Sequence, residues 1–342
     1  MKHSIVFHEN GRFGGWPANN GLWSWGDEIL VSYVVGGFDP KNDDHSIDYS
    51  QEMLKGFSRS TDGGETWIVE PAQHNFADEC LPVPEGGFDF TAPGFALRVG
   101  NASVSIHGRA YTVSYDRGHS WTGPYALPDF GRHLTCRTCY LIENSKTMRI
   151  FMSYKADPGK DKHLLSDRAF CAVTEDGGQS WSFLGNITDD EYRSVMPAVV
   201  KLSDGTLLCA IRRKRMIDGR EDNWIETRRS TDGGRSWGCA VRAAETGEAN
   251  GNPPALALLC DGRAVLVYGN RRRGAASSIR AAVSDDGGIS WKNEIILRDD
   301  SRTWDLGYPR LAVRPDSGLV AVYYYNSNEF AEQYIASTLF YI

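Results

Sequence analysis

Five aspartates recur among neighbours that fix their chemistry. Asp62, Asp116, Asp176, Asp232 and Asp286 each follow a Ser or Thr by two residues, precede a Gly by two and precede a Trp by five. Repeated carboxylates are candidates for acid–base work, but these surroundings suit a different task. An Asp carboxylate accepts backbone N–H groups and closes a tight turn. The glycine permits positive φ, and the tryptophan is a large apolar plug with one N–H to satisfy. We read the five acids as structural. Cys136 and Cys139 are the one close pair among seven cysteines. Without a second pair or histidine partners they do not make a zinc site. Their apolar, strand-like run, LTCRTCYLI, marks them as buried thiols. The third place is the segment 36–49, which holds Asp44, His45 and Asp48 and is longer than a hairpin needs. A carboxylate beside a histidine tunes a proton donor near neutrality. No metal-ligating cluster, phosphate-binding glycine loop or dinucleotide fingerprint is present, so neither cofactor nor metal is expected.

The elements that must position these groups follow from the repeat. Its tryptophans stand at 67, 121, 181, 237 and 291, a spacing of 54 to 60 residues. Strand-like runs precede the turns: RAYTV before Asp116, AFCAV before Asp176 and IRAAV before Asp286. A second set of turns keeps the same phase. Gly26-Asp27, Asp204-Gly205, Asp261-Gly262 and the stretch from Asp316 to Gly318 each separate two apolar runs, a hairpin signal. Each repeat of about 55 residues is therefore four antiparallel strands, one blade of a propeller. Five blades end at the five turns. After Trp291 three strands remain, and residues 3–7 are expected to supply the missing outer strand, which removes the sheet edges. The expected architecture is an all-β, six-bladed propeller of four-stranded antiparallel blades, a single domain over residues 1–342.

The net charge of −7 argues against a nucleic-acid partner or an anionic membrane, both of which want a basic face. No run approaches the roughly 18 apolar residues of a membrane span, and the start, MKHSIVFHENGRF, carries no signal-peptide pattern. A reduced, cytoplasmic chain with free thiols is expected.

The five turns resemble the Asp boxes of the sialidase (neuraminidase) superfamily, a six-bladed propeller fold, and the resemblance covers the whole chain. It implies an exo-acting glycosidase releasing terminal sialic acid from an acidic oligosaccharide. In that family arginines grip the substrate carboxylate bidentately. A Tyr polarised by a Glu is the nucleophile, and an Asp is the acid/base. Carried over by residue, the nucleophile is Tyr308, in Gly307-Tyr308-Pro309-Arg310. The strand from Asp204 to Arg212 gives Arg212 as the second arginine. Arg280, ahead of the fifth box, is the nearest match for the third, with Arg271 and Arg310 as additional candidates. The acid/base falls in the loop 36–49, where Asp48 is the first choice, flanked by Asp44 and His45.

Two departures stand out. The first arginine of the family falls on Gly15, leaving Arg12 as a substitute from a different angle. The polarising Glu falls on Pro197. Glu226, Asp222 and Glu191 lie in the same repeat, and Glu226 is the choice to replace it. An unassisted phenol with pKa ~10 is a poor nucleophile at neutral pH. Trp16 and Trp224 are expected to stack on a sugar ring, as is Trp304, while Asn19 and Asn252 are expected in the substrate site, with Asn252 binding ring hydroxyls. The departures keep three alternatives open: a hydrolase for another acidic sugar (a uronate, Kdn or Kdo), a lyase using His45 or His133, and a non-catalytic glycan-binding propeller.

Overall fold

The structure, a computed structural model, describes residues 1–42, 45–73, 79–101, 109–135, 137–157 and 167–342. Asp44 and Cys136 lie outside them. Six antiparallel sheets follow one another along the chain. Blade 4 is the plainest: Arg193–Lys201, Leu207–Ile217, Arg220–Ser230 and Val241–Glu245 from the inside outward. Blade 5 repeats it with Ala255–Leu258, Ala264–Asn270, Ser278–Ser284 and Lys292–Arg298. In blade 1 the inner strand is split into Arg12–Gly15 and Gly21–Trp25 by a single helical turn, Pro17–Asn20. The inner strand of blade 3 is also in two pieces, His133–Thr135 and Tyr140–Ile142. Blade 2 shows three strands among the described residues, Ala96–Asn101, Arg109–Ser114 and Thr122–Leu127.

Blade 6 is closed as the sequence predicts. Gly307–Val313, Leu319–Tyr325 and Tyr334–Phe340 are completed by Lys2–Phe7, paired antiparallel from Lys2 opposite Leu339 to Phe7 opposite Ile335. Ser58 Oγ donates to Val6 O at 3.0 Å, tying that strand to blade 1.

The core is distributed between blades rather than gathered in one place. Six apolar clusters are found, one at each junction of neighbouring blades. The Asp boxes explain how the junctions are fixed. In the first box Ser60 Oγ donates to Asp62 at 2.8 Å and accepts from Gly64 N at 2.8 Å, while Thr66 N reaches Asp62 at 2.9 Å. The second glycine of the box has positive φ and lies against the preceding blade. A Cβ on Gly118 would sit 2.3 Å from Leu30, and one on Gly288 2.4 Å from Leu208. The box tryptophans point the same way. Trp67 Nε1 reaches Ser337 at 3.1 Å and Trp291 Nε1 reaches Thr227 at 3.2 Å. Trp121 packs on Trp23, Trp181 on Tyr111 and Trp237 on Phe151. Each box is thus a turn within one blade and a clasp on the one before.

This makes a box acid a stability residue. Burial pushes Asp62 up, but the hydrogen bonds from Thr66, Ser60 and the Glu65 N–H outweigh it and hold the carboxyl down at about 2. Its contribution is present above the ordinary carboxylate range and lost as pH falls through about 2. Asp62→Ala is expected to cost about 1–2 kcal/mol at neutral pH, from the lost turn hydrogen bonds. Thermal melts check this, and the deficit shrinks as pH falls from the ordinary carboxylate range through about 2.

Among the described residues no helix is long and apolar enough to cross a membrane. The six described cysteines are free, and Cys139 is half-buried with its thiol pushed up by burial.

Candidate active site

The loops that join the second and third strands of each blade open on the face opposite the boxes. Tyr308 opens the inner strand of blade 6 on that face. Its backbone is left-handed, with φ 49, and it follows Gly307 at φ 108. The ladder slips there, between Gly307 and Arg310. Asn252 holds the bend. Its Oδ1 accepts from Tyr308 N at 3.0 Å and Gly269 N at 3.1 Å, and its Nδ2 donates to Leu306 O at 3.0 Å. A Cβ on residue 307 would fall 2.4 Å from that amide, which is why glycine stands there. Asn252 is fully buried with its amide spent on backbone. It positions Tyr308 and does not bind ring hydroxyls, which corrects the sequence expectation.

Two arginines meet the phenol. Arg212 Nη1 donates to Tyr308 Oη at 3.1 Å, and its Nη2 donates to Asn250 O. The Arg271 guanidinium lies 5.4 Å from the Tyr308 ring centre. Arg271 Nε donates to Leu306 O at 2.9 Å, its Nη2 reaches Tyr324 Oη, and Asp305 lies 3.5 Å away. Burial alone would push the Tyr308 phenol up. Arg212, Arg271 and, further off, Arg193 outweigh it and hold the phenol below its ordinary 10.0. Tyr33, Tyr111, Tyr140 and Tyr323 are, by contrast, pushed up by burial.

Asp305 extends the cluster. It accepts His45 Nδ1 at 2.8 Å, the Tyr324 hydroxyl, and Gln333 Nε2 at 3.3 Å. The His45 ring stands edge-on to Trp16 at 5.2 Å and 6.1 Å from Trp304. Two guanidiniums lie close to the Trp304 ring, Arg271 at 5.3 Å and Arg273 at 5.1 Å. A continuous chain of contacts therefore runs Trp16, His45, Asp305, Arg271, Tyr308, Arg212, drawn from blades 1, 6, 5 and 4.

Other expected members stand elsewhere. Arg280 donates to Ser278 at 2.8 Å and pairs with Glu294 within blade 5, away from Tyr308. Arg271, at the end of the neighbouring strand, is the one that lies against the Tyr308 ring. Arg310 turns into the ring axis and donates to Ala18 O at 2.6 Å and Thr138 O at 2.7 Å. Glu226 is not brought to the phenol. It lies opposite Ile211 in the ladder and so shares a face with Arg213, not Arg212. There it meets Arg213 at 3.3 Å and Arg228 at 2.7 Å. Among the described residues no carboxylate is hydrogen-bonded to the Tyr308 hydroxyl. Asp48 caps its own turn, accepting from Ser50 Oγ at 2.6 Å, Ser50 N at 2.9 Å and Gln51 Nε2 at 2.9 Å. The Ser50 hydroxyl first, then the other two, hold it below the usual carboxylate range, the wrong direction for a proton donor. Trp224 is buried beneath Arg213, Arg215 and Arg242, 4.8 to 5.6 Å from its ring, and offers no face to a sugar. Arg12 sits in the first inner strand of blade 1 opposite Gly37, with no ion pair among the described residues. Asn19 is half-buried in the turn Pro17–Asn20, its N–H bonded to Trp16 O at 3.1 Å.

The sequence reading missed Asp305, although it stands three residues before Tyr308. It also passed over a repeated signal. Trp16-Pro17, Met196-Pro197 and Tyr308-Pro309 occupy matching places in blades 1, 4 and 6, each residue before the proline being left-handed, at φ 56, 58 and 49. Pro197, where the resemblance put the polarising Glu, belongs to this motif.

Comparison with curated proteins finds no significant match. Solved structures of the same shape are numerous. One is a protein of unknown function from Dyadobacter fermentans, 17% identical, with a TM-score of 0.73 over 99% of this chain and 97% of that one. Another is the GH93 α-L-arabinofuranosidase of Fusarium graminearum, in complex with arabinobiose, 14% identical, with a TM-score of 0.68 over 100% and 98%. The NanB sialidase of Streptococcus pneumoniae is 14% identical, with a TM-score of 0.62 over 99% of this chain and 70% of that one. At these identities the likeness is one of fold. The family model for the BNR repeat-like domain matches residues 95–322, two thirds of the sequence. With its Asp boxes and six blades, the chain belongs to the BNR repeat-like domain family.

Proposed function

We propose that the protein is a glycosidase for an acidic sugar, with terminal sialic acid as the first candidate. The observation that carries this is the buried Arg212, which meets Tyr308 and backbone oxygen but pairs with no carboxylate among the described residues. A buried guanidinium without a counter-charge is costly, and a substrate carboxylate supplies one. The rim adds to the argument. A hollow of about 510 Å³ beside Trp304 is bordered by Arg272, Arg273 and Arg302, a basic approach on an acidic protein. Neighbouring folds act on both sialic acid and arabinose, and a neutral pentose offers these arginines hydroxyl acceptors but no counter-charge.

In the proposed chemistry Tyr308 first loses its proton to water, and its phenolate oxygen then bonds to the anomeric carbon as the glycosidic C–O bond breaks. His45, oriented by Asp305, passes a proton to the departing oxygen. Water then attacks the same carbon, its proton returns to His45, and the phenolate leaves. Arg212 and Arg271 ease the loss of the Tyr308 proton as the reaction begins. The His45–Asp305 pair also favours a second reading, elimination next to a uronate carboxylate, with Tyr308 as the base.

The test is a panel of fluorogenic glycosides, namely a sialoside, a uronide and an α-L-arabinofuranoside. Turnover of an acidic member with release of the free sugar is expected. A product lighter by one water assigns elimination instead. Turnover of the arabinofuranoside alone, or of none, overturns the proposal.

A further inference from the structure

Two more buried guanidiniums lie on the ring axis and take no part in the site above. Arg137, in the break of the blade 3 inner strand, is 1% exposed. Its Nη1 donates to Met196 O and its Nη2 to Pro254 O, both at 2.7 Å. Arg310, from blade 6, donates to Pro17 O at 3.4 Å, Ala18 O at 2.6 Å and Thr138 O at 2.7 Å. The two side chains therefore act as spokes joining carbonyls of blades 1, 3, 4 and 5. They border a cavity of about 370 Å³ to which all six blades contribute, with Trp25, Phe95, Cys139, Val199, Leu256 and Leu311 in its wall.

The carbonyls satisfy N–H groups but carry no charge. Among the described residues neither arginine forms an ion pair, and Arg137 Nε is buried without a partner. Burial, followed for Arg310 by the repulsion of Arg137, pushes the two guanidiniums down to about 10 and about 9. Two cations held this way, in a wall otherwise largely apolar, call for a compensating charge. Neither hydrogen-bonds Tyr308, Arg212 or Arg271, although the Tyr308 phenol is close enough to act on the charge of Arg137.

We propose that the axial cavity binds a small monovalent anion of the halide class between Arg137 and Arg310. A halide accepts N–H donors from any direction. Most of the edges that would grip a carboxylate are already committed: both Nη of Arg137, and Nε and Nη2 of Arg310, serve carbonyls, and Arg137 Nε is left as a single buried donor. Because the same side chains bridge the blades, the anion stabilises the ring.

The full chain, exchanged into gluconate buffer, is melted in increasing sodium bromide at fixed ionic strength. A saturable rise in Tm of about 2–4 °C is expected, and it is absent in Arg310→Met. No saturable response, or an equal response in Arg310→Met, overturns the proposal. Should that variant fail to fold, bromide-soaked crystals of the unaltered chain decide. Anomalous density between the two guanidiniums supports the site, and its absence from the cavity overturns it.

Discussion

Tyr308→Phe is expected to lower kcat on an acidic glycoside by about 10³-fold or more, with KM little changed. The substitution removes one oxygen and leaves the packing in place. The ring still meets Tyr324, 5.8 Å away, and the bend is still held by Asn252, which bonds the backbone and not the hydroxyl. Arg212 keeps its bond to Asn250 O, so its guanidinium stays in place. Loss of turnover with retained binding therefore isolates the nucleophile. A spectroscopic reading accompanies the kinetics. In an alkaline titration followed by phenolate absorbance, one tyrosine of the native protein ionises below the ordinary 10.0. That early phase is missing in Tyr308→Phe. The sign is set by linkage. A phenol depressed in the folded state adds stability that is full above its unfolded pKa of ~10 and is lost as pH falls through the folded value. An early phase that persists in the variant, or activity that persists, rules out the assigned role.

Arg212→Met is expected to reduce kcat/KM by about 10²–10³-fold on the same substrate, mainly through KM. Methionine fills much of the volume and removes a buried charge, so the fold loses little. The variant also acts on Tyr308. With one of its cations gone, the phenol moves up, and the early ionisation retreats towards or past 10.0. A purely structural role for Arg212 predicts the rate loss without that retreat. Arg280→Met serves as the contrast: its guanidinium serves Glu294 and Ser278, so turnover stays near the native level.

The repeat made the scaffold readable from residues alone. A box holds its own turn by contacts within eight consecutive residues, and local chemistry of that kind is visible in sequence. Even the strand Lys2–Phe7 was predictable, because a count of strands in the final repeat came up one short. The pair Arg212 and Tyr308 was also within reach, since each opens or ends a strand whose phase the boxes set. What failed was anything decided by side-chain direction. Arg280 and Arg271 lie on paired strands of one blade, but only the end of the inner of the two reaches the phenol. Glu226 missed by parity, since adjacent residues on a strand face opposite ways and Arg212 and Arg213 divide the site from the outer pair network. Asp305 was missed for a different reason. Its partners His45, Arg271, Tyr324 and Gln333 come from three blades, and no local pattern announces a meeting of that kind.

The left-handed residue before proline has a consequence for how such a protein changes its chemistry. Trp16, Met196 and Tyr308 occupy three copies of one backbone bend, and only the copy in blade 6 carries a phenol. The other two already place a side chain in the apolar cluster that holds Tyr308. An ancestor built by duplication would thus inherit spare seats along with the occupied one, and a new reactive group needs a change of residue at a seat rather than a new path for the chain.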